Sequence, residues 1–510
     1  MEIRIDKEGK TPMYLQISRR IREMILSGTL PAGFRLPPER KLAEELQVNR
    51  TTVLNAYREL KSGGFVDSHI GQGTTVTLRQ ASEDTVWESG GSGTPDMPSM
   101  PWEQLFSESS LRIQDTTVRD LLGGVRSDMI LFAAGVTVPG HDSLEALKRI
   151  QAEVLESSGR IAVQHTPTEG LFPLRESICE LMRERGINAK AAETMVLTGS
   201  QQGLDLIARA FIEAGDVVLA EEPTFFSAVH IFKAAGARVV GIPADNEGMR
   251  TDLLDMLVKR FKPKLIYTIP DFQNPSGAVM SMERRKTLLS VASRNQVVIL
   301  EDDPYGLLRY EGKAMPALKA MDIYGNVLYL STFSKLMFPG FRVGWLTAPP
   351  QVLYRLTMLK QMADLHTSSL PQLIIDRFLR EGLIKEHLEK ANKENRSRRD
   401  LMVSELESSH PDGMGWNRPE GGLYLWCRLP ERVPQSRLLA SSMERGVSFV
   451  PGDVFFPGSP LGNYIRLNYT YPTSEQIVEG VKRLMASYAG IAREQKKYGT
   501  GIANELGPII

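Results

Sequence analysis

A lysine at the end of an apolar run carries the most informative chemistry in the sequence. Lys335 closes the run NVLYLSTFSK, where a buried ammonium is unfavourable unless its charge is removed or its amine is bonded. A Schiff base with an aldehyde cofactor does both. The hydroxyls of Thr332 and Ser334 and the guanidinium of Arg342, in the following PGFRVGW, can converge on a phosphate. Alone, such a lysine is typical of a protein surface, but this combination predicts a phosphate-bearing aldehyde cofactor.

Three polar side chains upstream could hold the ring of that cofactor. Asp302 ends the run VVILED and could pair with a pyridinium nitrogen, which would keep the ring protonated and electron-accepting. Tyr305 follows three residues later, and Asn274 lies in the loop DFQNPSG; both could bond the phenolic oxygen of the ring. Taken alone, Asp302 would more often be a helix cap or a surface carboxylate, so the prediction rests on the set.

Other residues could hold the phosphate and an amino-acid ligand. The segment VLTGSQQGLDLIARAF indicates a turn running into a helix, whose free N–H groups would bind phosphate together with Ser200 and Gln201. Phe225 could stack on the pyridine face, although a phenylalanine is more often plain core. Arg466, in YIRLNYT, could form a bidentate pair with a ligand carboxylate.

The elements that would position these residues alternate along the chain. From about residue 102, apolar runs such as VVLAEEP, KLIYTIPD and VVILEDDPY alternate with amphipathic segments at 201–213 and 282–294. The alternation predicts an α/β fold with a mostly parallel sheet, in which functional residues gather at the carboxyl ends of the strands. After about residue 382 the pattern changes to a long charged helix and a smaller α+β region.

The first 80 residues indicate a separate module. An amphipathic helix is predicted over residues 12–27, followed by helices at 39–46 and from 49 or 50 to 61 across a tight turn. This is the helix-turn-helix layout, whose second helix enters the major groove of DNA by its N-terminal end. Residues 65–77 alternate around a Gly-Gln-Gly tip, which predicts a hairpin wing.

The start of the second helix offers side chains suited to DNA. Arg50, Thr51 and Thr52 could contact base edges and phosphates, and Asn49 could do so or cap the helix. The plainer alternative is that the arginines of this module are solvated surface residues. The charge of this module agrees weakly with DNA binding. Residues 1–80 hold 13 Lys and Arg against 9 Asp and Glu, a net charge of +4, whereas the whole chain holds 61 basic and 61 acidic residues.

Chain length, cysteine content and the lack of a long apolar run narrow the class of protein. A chain of 510 residues exceeds one hydrophobic core, and we predict a DNA-binding domain at 1–80, a linker at 81–104, a cofactor domain at 105–490 and a tail at 491–510. The two cysteines, Cys179 and Cys427, are too far apart in sequence to suggest a disulfide framework or a thiolate metal site. Without a signal peptide or a long apolar run, a cytoplasmic location is expected.

The first module closely resembles the GntR-type winged helix-turn-helix. The matching residues are Leu36, Pro37, Glu39, Arg40, Leu42, Ala43, Val48, Arg50, Thr52, Val53, Tyr57, Leu60, Gly64, Gly71, Gly73 and Thr74. Pro38 stands where that family often has serine, and Asn49 where it often has serine or threonine. The resemblance implies that Arg35, Arg40, Arg50, Thr52 and the wing tip around Gly71 contact DNA.

Residues 105–485 resemble the fold-type I aminotransferases that use pyridoxal 5'-phosphate, especially the aminoadipate and kynurenine branch. The resemblance implies that Lys335 forms the Schiff base, Asp302 pairs with the ring nitrogen, and Asn274 and Tyr305 hold the O3′ atom. It assigns a stacking role to Phe225, α-carboxylate binding to Arg466, and phosphate binding to Ser200, Gln201, Thr332, Ser334 and Arg342. His165 stands where tyrosine is common, which puts in doubt a phosphate contact across the dimer interface.

The two modules together resemble the MocR (GabR-like) subfamily of GntR-type transcription regulators. That resemblance implies a homodimer that binds double-stranded operator DNA and senses an amino-acid-like effector by transaldimination at Lys335. The alternative is a working aminotransferase, converting amino acids to 2-oxo acids, with an accessory DNA-binding domain. Nothing in the predicted site excludes turnover, because the lysine, the aspartate and the arginine are all present.

Overall fold

The computed structural model divides the chain into two compact units, Met1–Met100 and Pro101–Ile510. The residues it describes are 3, 5–6, 12–26, 29–31, 33–62, 65–69, 73–77, 100, 102–113, 128–135, 141–460 and 462–505. The predicted wing-tip residue Gly71 and most of the predicted linker lie outside them, and the exact domain boundaries stay predictions.

The described residues of the first unit form three helices and two paired strands. They are α1 (Met13–Leu26), α2 (Glu39–Leu46), α3 (Arg50–Ser62), β1 (Val66–His69) and β2 (Gly73–Val76). The strands are antiparallel, as the predicted wing requires. Gln47 takes a left-handed conformation (φ 51°) and makes the tight turn between α2 and α3. The helix-turn-helix prediction is confirmed here to within one residue at each end of α2 and α3.

A small apolar core holds this unit together. Ile17 and Ile21 from α1, Leu42 from α2 and Val53 from α3 are buried in one cluster. The phenol of Tyr57 donates a hydrogen bond to the Pro37 carbonyl at 2.7 Å. The chain entering α2 is thereby tied to the middle of α3.

The second unit is built on an eight-stranded sheet with its helices on both faces. Its strand order is β4-β11-β10-β9-β8-β5-β6-β7. In chain order, its eight strands are β4 (Thr194–Leu197), β5 (Val217–Glu222), β6 (Arg238–Asp245), β7 (Gly248–Met249), β8 (Leu265–Thr268), β9 (Val298–Asp302), β10 (Val327–Thr332) and β11 (Gly344–Thr347). Strands β6, β5, β8, β9 and β10 run parallel, whereas β11 and β7 are antiparallel to their neighbours. The predicted α/β class with a mostly parallel sheet is confirmed.

Alternation along the strands explains why helices cover both faces. In β8, Leu265 and Tyr267 enter one hydrophobic cluster and Ile266 enters another. Successive side chains of a strand point to opposite faces, so a strand that is apolar throughout needs cover on both sides. The helices of this unit up to the C-terminal region are α4 (Trp102–Leu105), α5 (Glu108–Leu111), α6 (His141–Ala162), α7 (Phe172–Arg183), α8 (Ser200–Phe211), α9 (Phe226–Ala234), α10 (Leu254–Phe261), α11 (Met282–Arg294), α12 (Leu318–Met321), α13 (Pro350–Asp364) and α14 (Ser369–Arg380).

The C-terminal region is a smaller α+β arrangement with its own core. Its elements are α15 (Leu383–Ser408), β12 (Gly415–Trp416), β13 (Tyr424–Arg428), α16 (Gln435–Glu444), β14 (Val447–Ser448), β15 (Val450–Pro451), β16 (Tyr464–Asn468) and α17 (Ser474–Glu505), and β14 pairs with β3 (Ile130–Leu131). Four of the strands form a sheet of order β12-β13-β16-β15. Helix α17 continues through much of the segment interpreted as a tail. Among the described helices, none has the length and apolarity needed to cross a bilayer.

A glycine at the start of β11 allows three backbone segments to meet. A Cβ on Gly344 would lie 2.8 Å from the Ser331 carbonyl oxygen and 2.9 Å from the Ser200 nitrogen. Backbone atoms cannot swing aside as a flexible side chain can. Close packing of β11 against the end of β10 and the start of α8 therefore depends on the missing side chain.

Gly344→Ala should lower the free energy of unfolding by about 1–3 kcal/mol, the usual range for overpacking. The matched control is Gly340→Ala in the short 3-10 helix (Pro339–Phe341) just before β11, where a Cβ would meet no described atom within 4 Å; it should change stability by less than about 0.5 kcal/mol. Chemical denaturation of both variants measures the difference. Equal stabilities would contradict the close approach at Gly344.

Candidate functional site

The predicted chemical residues follow the carboxyl ends of parallel strands. Phe225 follows β5, Asn274 follows β8, Asp302 ends β9, and Lys335 comes three residues after β10. Because β5, β8, β9 and β10 are consecutive neighbours in the sheet, their ends meet at one edge. Parallel pairing thus brings together side chains that are up to 110 positions apart in the chain.

These side chains surround a cavity of about 250 Å³. All ten predicted cofactor residues and the predicted carboxylate-binding arginine line it: Ser200, Gln201, Phe225, Asn274, Asp302, Tyr305, Thr332, Ser334, Lys335, Arg342 and Arg466. The predicted set is thus one spatial cluster. The individual roles assigned to its members stay predictions.

The amine of Lys335 lies half-buried in the cavity wall and donates a hydrogen bond to the Gly135 carbonyl. Removal from water lowers the pKa of this amine, and the guanidinium groups of Arg466 and Arg342 lower it further, against an opposing effect of Tyr424. A larger fraction of the amine is neutral than for a lysine in water. A neutral amine is the form that attacks a carbonyl carbon.

Asp302 presents one bound and one free carboxylate oxygen. Tyr267, on β8, donates its phenolic proton to Oδ2 at 2.8 Å. Oδ1 is buried and has no hydrogen-bond partner among the described residues. Burial raises the pKa of Asp302 to about 7, with Asp303 adding to the rise and the Tyr267 bond opposing it. A buried acceptor without a donor fits a protonated ring nitrogen.

An anion cradle forms where α8 begins. Helix α8 starts at Ser200, so its first N–H groups and the positive end of its dipole face the cavity. Arg342 donates to the Ser334 hydroxyl at 2.9 Å, and Thr332 bonds the same hydroxyl at 3.1 Å. A Cβ on Gly199 would lie 2.6 Å from Arg342 Nη2, so glycine leaves the guanidinium room beside the helix start. Helix N–H groups, hydroxyls and a guanidinium fit a phosphate.

The opposite wall of the cavity centres on Arg466, which is buried on β16. It donates to the Asn274 amide oxygen at 2.9 Å, and the Asn274 amide in turn donates to the Tyr305 hydroxyl at 3.5 Å. The guanidinium lies 4.0 Å from the ring centre of Tyr424, and its Nε has no partner among the described residues. A buried guanidinium with a spare donor fits a carboxylate of a ligand.

Several cavity residues escaped prediction. Tyr424, Phe226, Val450, Ala133 and Gly135 line the cavity. Phe226 directly follows the predicted Phe225, but the second phenylalanine of EEPTFF carries no signal of its own, and the other four stand beside no recognisable motif. The only sequence signal for Tyr424 is its place in the apolar run LYLWC, which precedes the strand that carries Arg466. The remaining residues come close only through tertiary packing.

His165 lies away from this cavity. Its Nδ1 is 3.2 Å from Nε2 of His366, and the two rings meet edge to face. Within one subunit, then, this histidine makes no contact with the anion cradle.

The predicted DNA-contacting residues of the first unit are largely exposed. Arg35, Arg40, Asn49, Arg50 and Thr51 are exposed, and Thr52 is half-buried. Asn49 caps α3, because its Oδ1 accepts from the Thr51 N–H at 2.9 Å. Arg50 forms an ion pair with Glu39, at 3.1 Å from Nη2 to Oε2.

Comparison with known proteins agrees with both halves of the chain. Residues 127–484 match the aminotransferase class I and II family, and residues 13–76 match the gntR family of bacterial regulatory proteins. The HTH-type transcriptional regulator YisV of Bacillus subtilis is 32% identical over 93% of this chain and 96% of its own length.

The aminotransferases that this chain resembles match its second unit. Aromatic-amino-acid aminotransferase 1 of Thermococcus litoralis is 41% identical over 79% of this chain and 97% of its own length. The crystal structure of Pyrococcus horikoshii kynurenine aminotransferase in complex with PMP matches with a TM-score of 0.72 and 37% identity, over 76% of this chain and 98% of that one. The chain belongs to the aminotransferase class I and II family, with pyridoxal 5'-phosphate as its cofactor, and its GntR domain makes it a transcription regulator of the MocR type.

Proposed function

We propose that this regulator is a homodimer that binds operator DNA with its first unit and senses an amino-acid-like effector at Lys335. One observation carries the proposal: a chain with a GntR domain retains a cavity lined by every group expected to hold pyridoxal phosphate and an amino acid. A group that reacts reversibly with amines suits a sensor of amino compounds. The dimer is expected because the active sites of this aminotransferase fold lie between two subunits.

Each cavity group has a task toward the cofactor. When bound, pyridoxal phosphate supplies an aldehyde that bonds amines reversibly and a ring that accepts electrons. Lys335 would hold it through an amine whose lowered pKa favours the nucleophilic form. Oδ1 of Asp302 would keep a proton on the ring nitrogen, and Asn274 and Tyr305 would bond the neighbouring ring oxygen. The cradle at Ser334 and Arg342 would hold the phosphate.

Arg466 gives the site a way to distinguish an amino acid from a simple amine. When the amine of an effector takes the place of the Lys335 amine on the cofactor, the lysine side chain is released. The carboxylate of the effector can then pair with the guanidinium of Arg466. These contacts exist only in the effector-bound state. A ligand shifts a conformational equilibrium only by its differential affinity for the two states, and Lys335 and Arg466 are where this difference would arise.

A second activity, slow transamination, is supported by the groups retained in the cavity. A site that only exchanged amines would not need the ring to accept electrons, yet Asp302, which would keep the ring nitrogen protonated, lines the cavity. The similarity to aromatic-amino-acid aminotransferase 1 agrees with this. Mixing the cofactor-loaded protein with an amino acid, and then with a 2-oxo acid, would reveal each half of the transfer in the absorption spectrum.

Operator binding titrated with amino acids tests the sensing role. Lys335→Ala should bind operator DNA but lose or distort the response, because no side-chain amine is left to be exchanged. Arg466→Ala should need more effector, since a charge-assisted pair contributes about 1.5–3 kcal/mol. Arg428→Ala, which removes an exposed arginine of β13, is the matched control and should respond like the wild type. If all variants respond alike, the effector acts elsewhere.

The ion pair at the start of α3 makes a prediction about DNA. Arg50→Ala should weaken specific operator binding by about 1–3 kcal/mol if the guanidinium reads a guanine. Glu39→Gln should instead tighten binding at low salt, because a neutral amide holds the guanidinium less strongly and the change removes a negative charge close to the phosphates. Gel shifts over a salt series measure both, with Arg58→Ala, an exposed residue late in α3, as the control. Weaker binding by the Glu39 variant would mean that the ion pair positions Arg50.

A further inference from the structure

A small apolar cluster lies beside the arginine that faces the cavity. Ala133, Val450 and Phe455 are buried in it, and Phe226 and Trp426 pack against them. Ala133, Phe226 and Val450 also line the cavity. This cluster is separate from the cores of the large sheet and of the C-terminal region, so part of its apolar surface faces the ligand space.

The position of the cluster relates it to the ligand carboxylate. Val450 on β15 is the direct cross-strand partner of Arg466 on β16. The ring centre of Phe455 lies 5.1 Å from the Arg466 guanidinium, and Phe226 contacts Phe455 edge to face at 5.7 Å. A ligand whose carboxylate pairs with Arg466 therefore meets apolar groups next to that pair.

The charged groups of the cavity also favour a ligand with an apolar side chain. Among the described lining residues the charged ones are Asp302, Lys335, Arg342 and Arg466, and the first three have tasks toward the cofactor. The described residues of this subunit therefore offer no further cation to a second carboxylate on the ligand, and burying a carboxylate unpaired is strongly unfavourable. His230, one turn after Phe226, does not supply one, because burial lowers the pKa of its imidazole.

We infer that the effector is an amino acid with a single carboxylate and an uncharged, apolar side chain, with Phe226 and Val450 as specificity-determining residues. The inference rests on the proposed function and deepens it. Absorption titrations of the full-length, cofactor-loaded protein test it with L-leucine, glycine, L-aspartate and L-lysine as probes. Leucine should bind about tenfold or more tighter than aspartate or lysine.

Phe226→Ala should weaken leucine binding several-fold more than glycine binding, because glycine has no side chain to contact the ring. Phe172→Ala, which removes an exposed phenylalanine from α7, is the matched control. Preference for aspartate or lysine, or an equal loss for leucine and glycine, would overturn the inference. If leucine binds as expected but operator binding never responds, the pocket assignment holds and the sensing role is wrong.

An independent observation concerns the phenol behind Asp302. Tyr267 pairs across the parallel strands with Leu300, two residues before Asp302, so its side chain and the carboxylate lie on the same face of the sheet. Both side chains are buried, and the phenol donates to Oδ2 at 2.8 Å. Because Oδ2 is occupied from behind, Oδ1 remains as the acceptor toward the cavity.

Among the described residues, no neighbouring charged group donates a hydrogen bond to the Asp302 carboxylate. Asp303 is held by Arg185 at 3.0 Å and by the Tyr329 phenol at 2.9 Å. Lys335, Tyr305 and Asp303 also act on Asp302 electrostatically, but among the described residues only Tyr267 donates a hydrogen bond to its carboxylate. We propose that Tyr267 is a positioning residue, which aims Oδ1 at the ring nitrogen and stabilises the ionised carboxylate.

The pH dependence of cofactor binding tests the role of Tyr267. Burial raises the pKa of Asp302 to about 7 and the phenol opposes this rise, so removing the hydroxyl should raise the pKa further. Below its pKa the protonated Asp302 cannot pair with a pyridinium, and binding should weaken as pH falls. For Tyr267→Phe, the acidic limb of pyridoxal phosphate affinity should move up by about one pH unit, with about fivefold weaker binding at pH 7.

Tyr329→Phe is the matched control, because it removes an equally buried phenol that bonds the neighbouring Asp303. It should leave the acidic limb near its wild-type position, whatever it does to the melting temperature. An unmoved limb in Tyr267→Phe, or equal shifts in both variants, would reduce Tyr267 to a packing role. Failure of the wild type to bind pyridoxal phosphate would instead refute the cofactor assignment.

Discussion

The parallel pairing of β9 with β10 is the constraint on which the site depends. It aligns Asp302 with Leu330, so that a carboxylate and the loop carrying Lys335 leave the sheet side by side. Both groups are shielded from water, which raises the pKa of the acid and lowers that of the amine. Each is thereby held closer to neutrality than it would be in solvent, and a charged, reactive cofactor can compensate both.

Backbone geometry at the edge of the sheet adjusts the other side of the cavity. Arg342 takes a left-handed conformation (φ 53°), and Gly199 supplies the space that its guanidinium occupies. A positive φ is unfavourable for a residue with a side chain, so such a conformation persists where the surroundings hold it. Here it directs a permanent cation at the start of α8, where the helix dipole already favours an anion.

The two units use arginine in different ways. Arg466 is buried, stacked against Tyr424 and bonded to Asn274, so its position is fixed before any ligand arrives. Arg50 is exposed and paired with Glu39, an interaction that is weak in water and easily exchanged for a phosphate. A rigid cation suits selective recognition of a small ligand, whereas an exchangeable one suits a regulator that must bind and release DNA.

Local pattern was enough to identify the chemistry of this chain, and tertiary packing decided its surroundings. Helices at Glu39–Leu46 and Met282–Arg294 and the roles expected of Lys335 and Asp302 follow from periodicity, capping and motif, because these are properties of neighbouring residues. The wall formed by Phe226, Val450 and Tyr424, the phenol behind Asp302, and the distance of His165 from the cradle could not be predicted in this way. They depend on strand order and on how the C-terminal sheet packs against the large one, and these are set by contacts between residues tens to hundreds of positions apart.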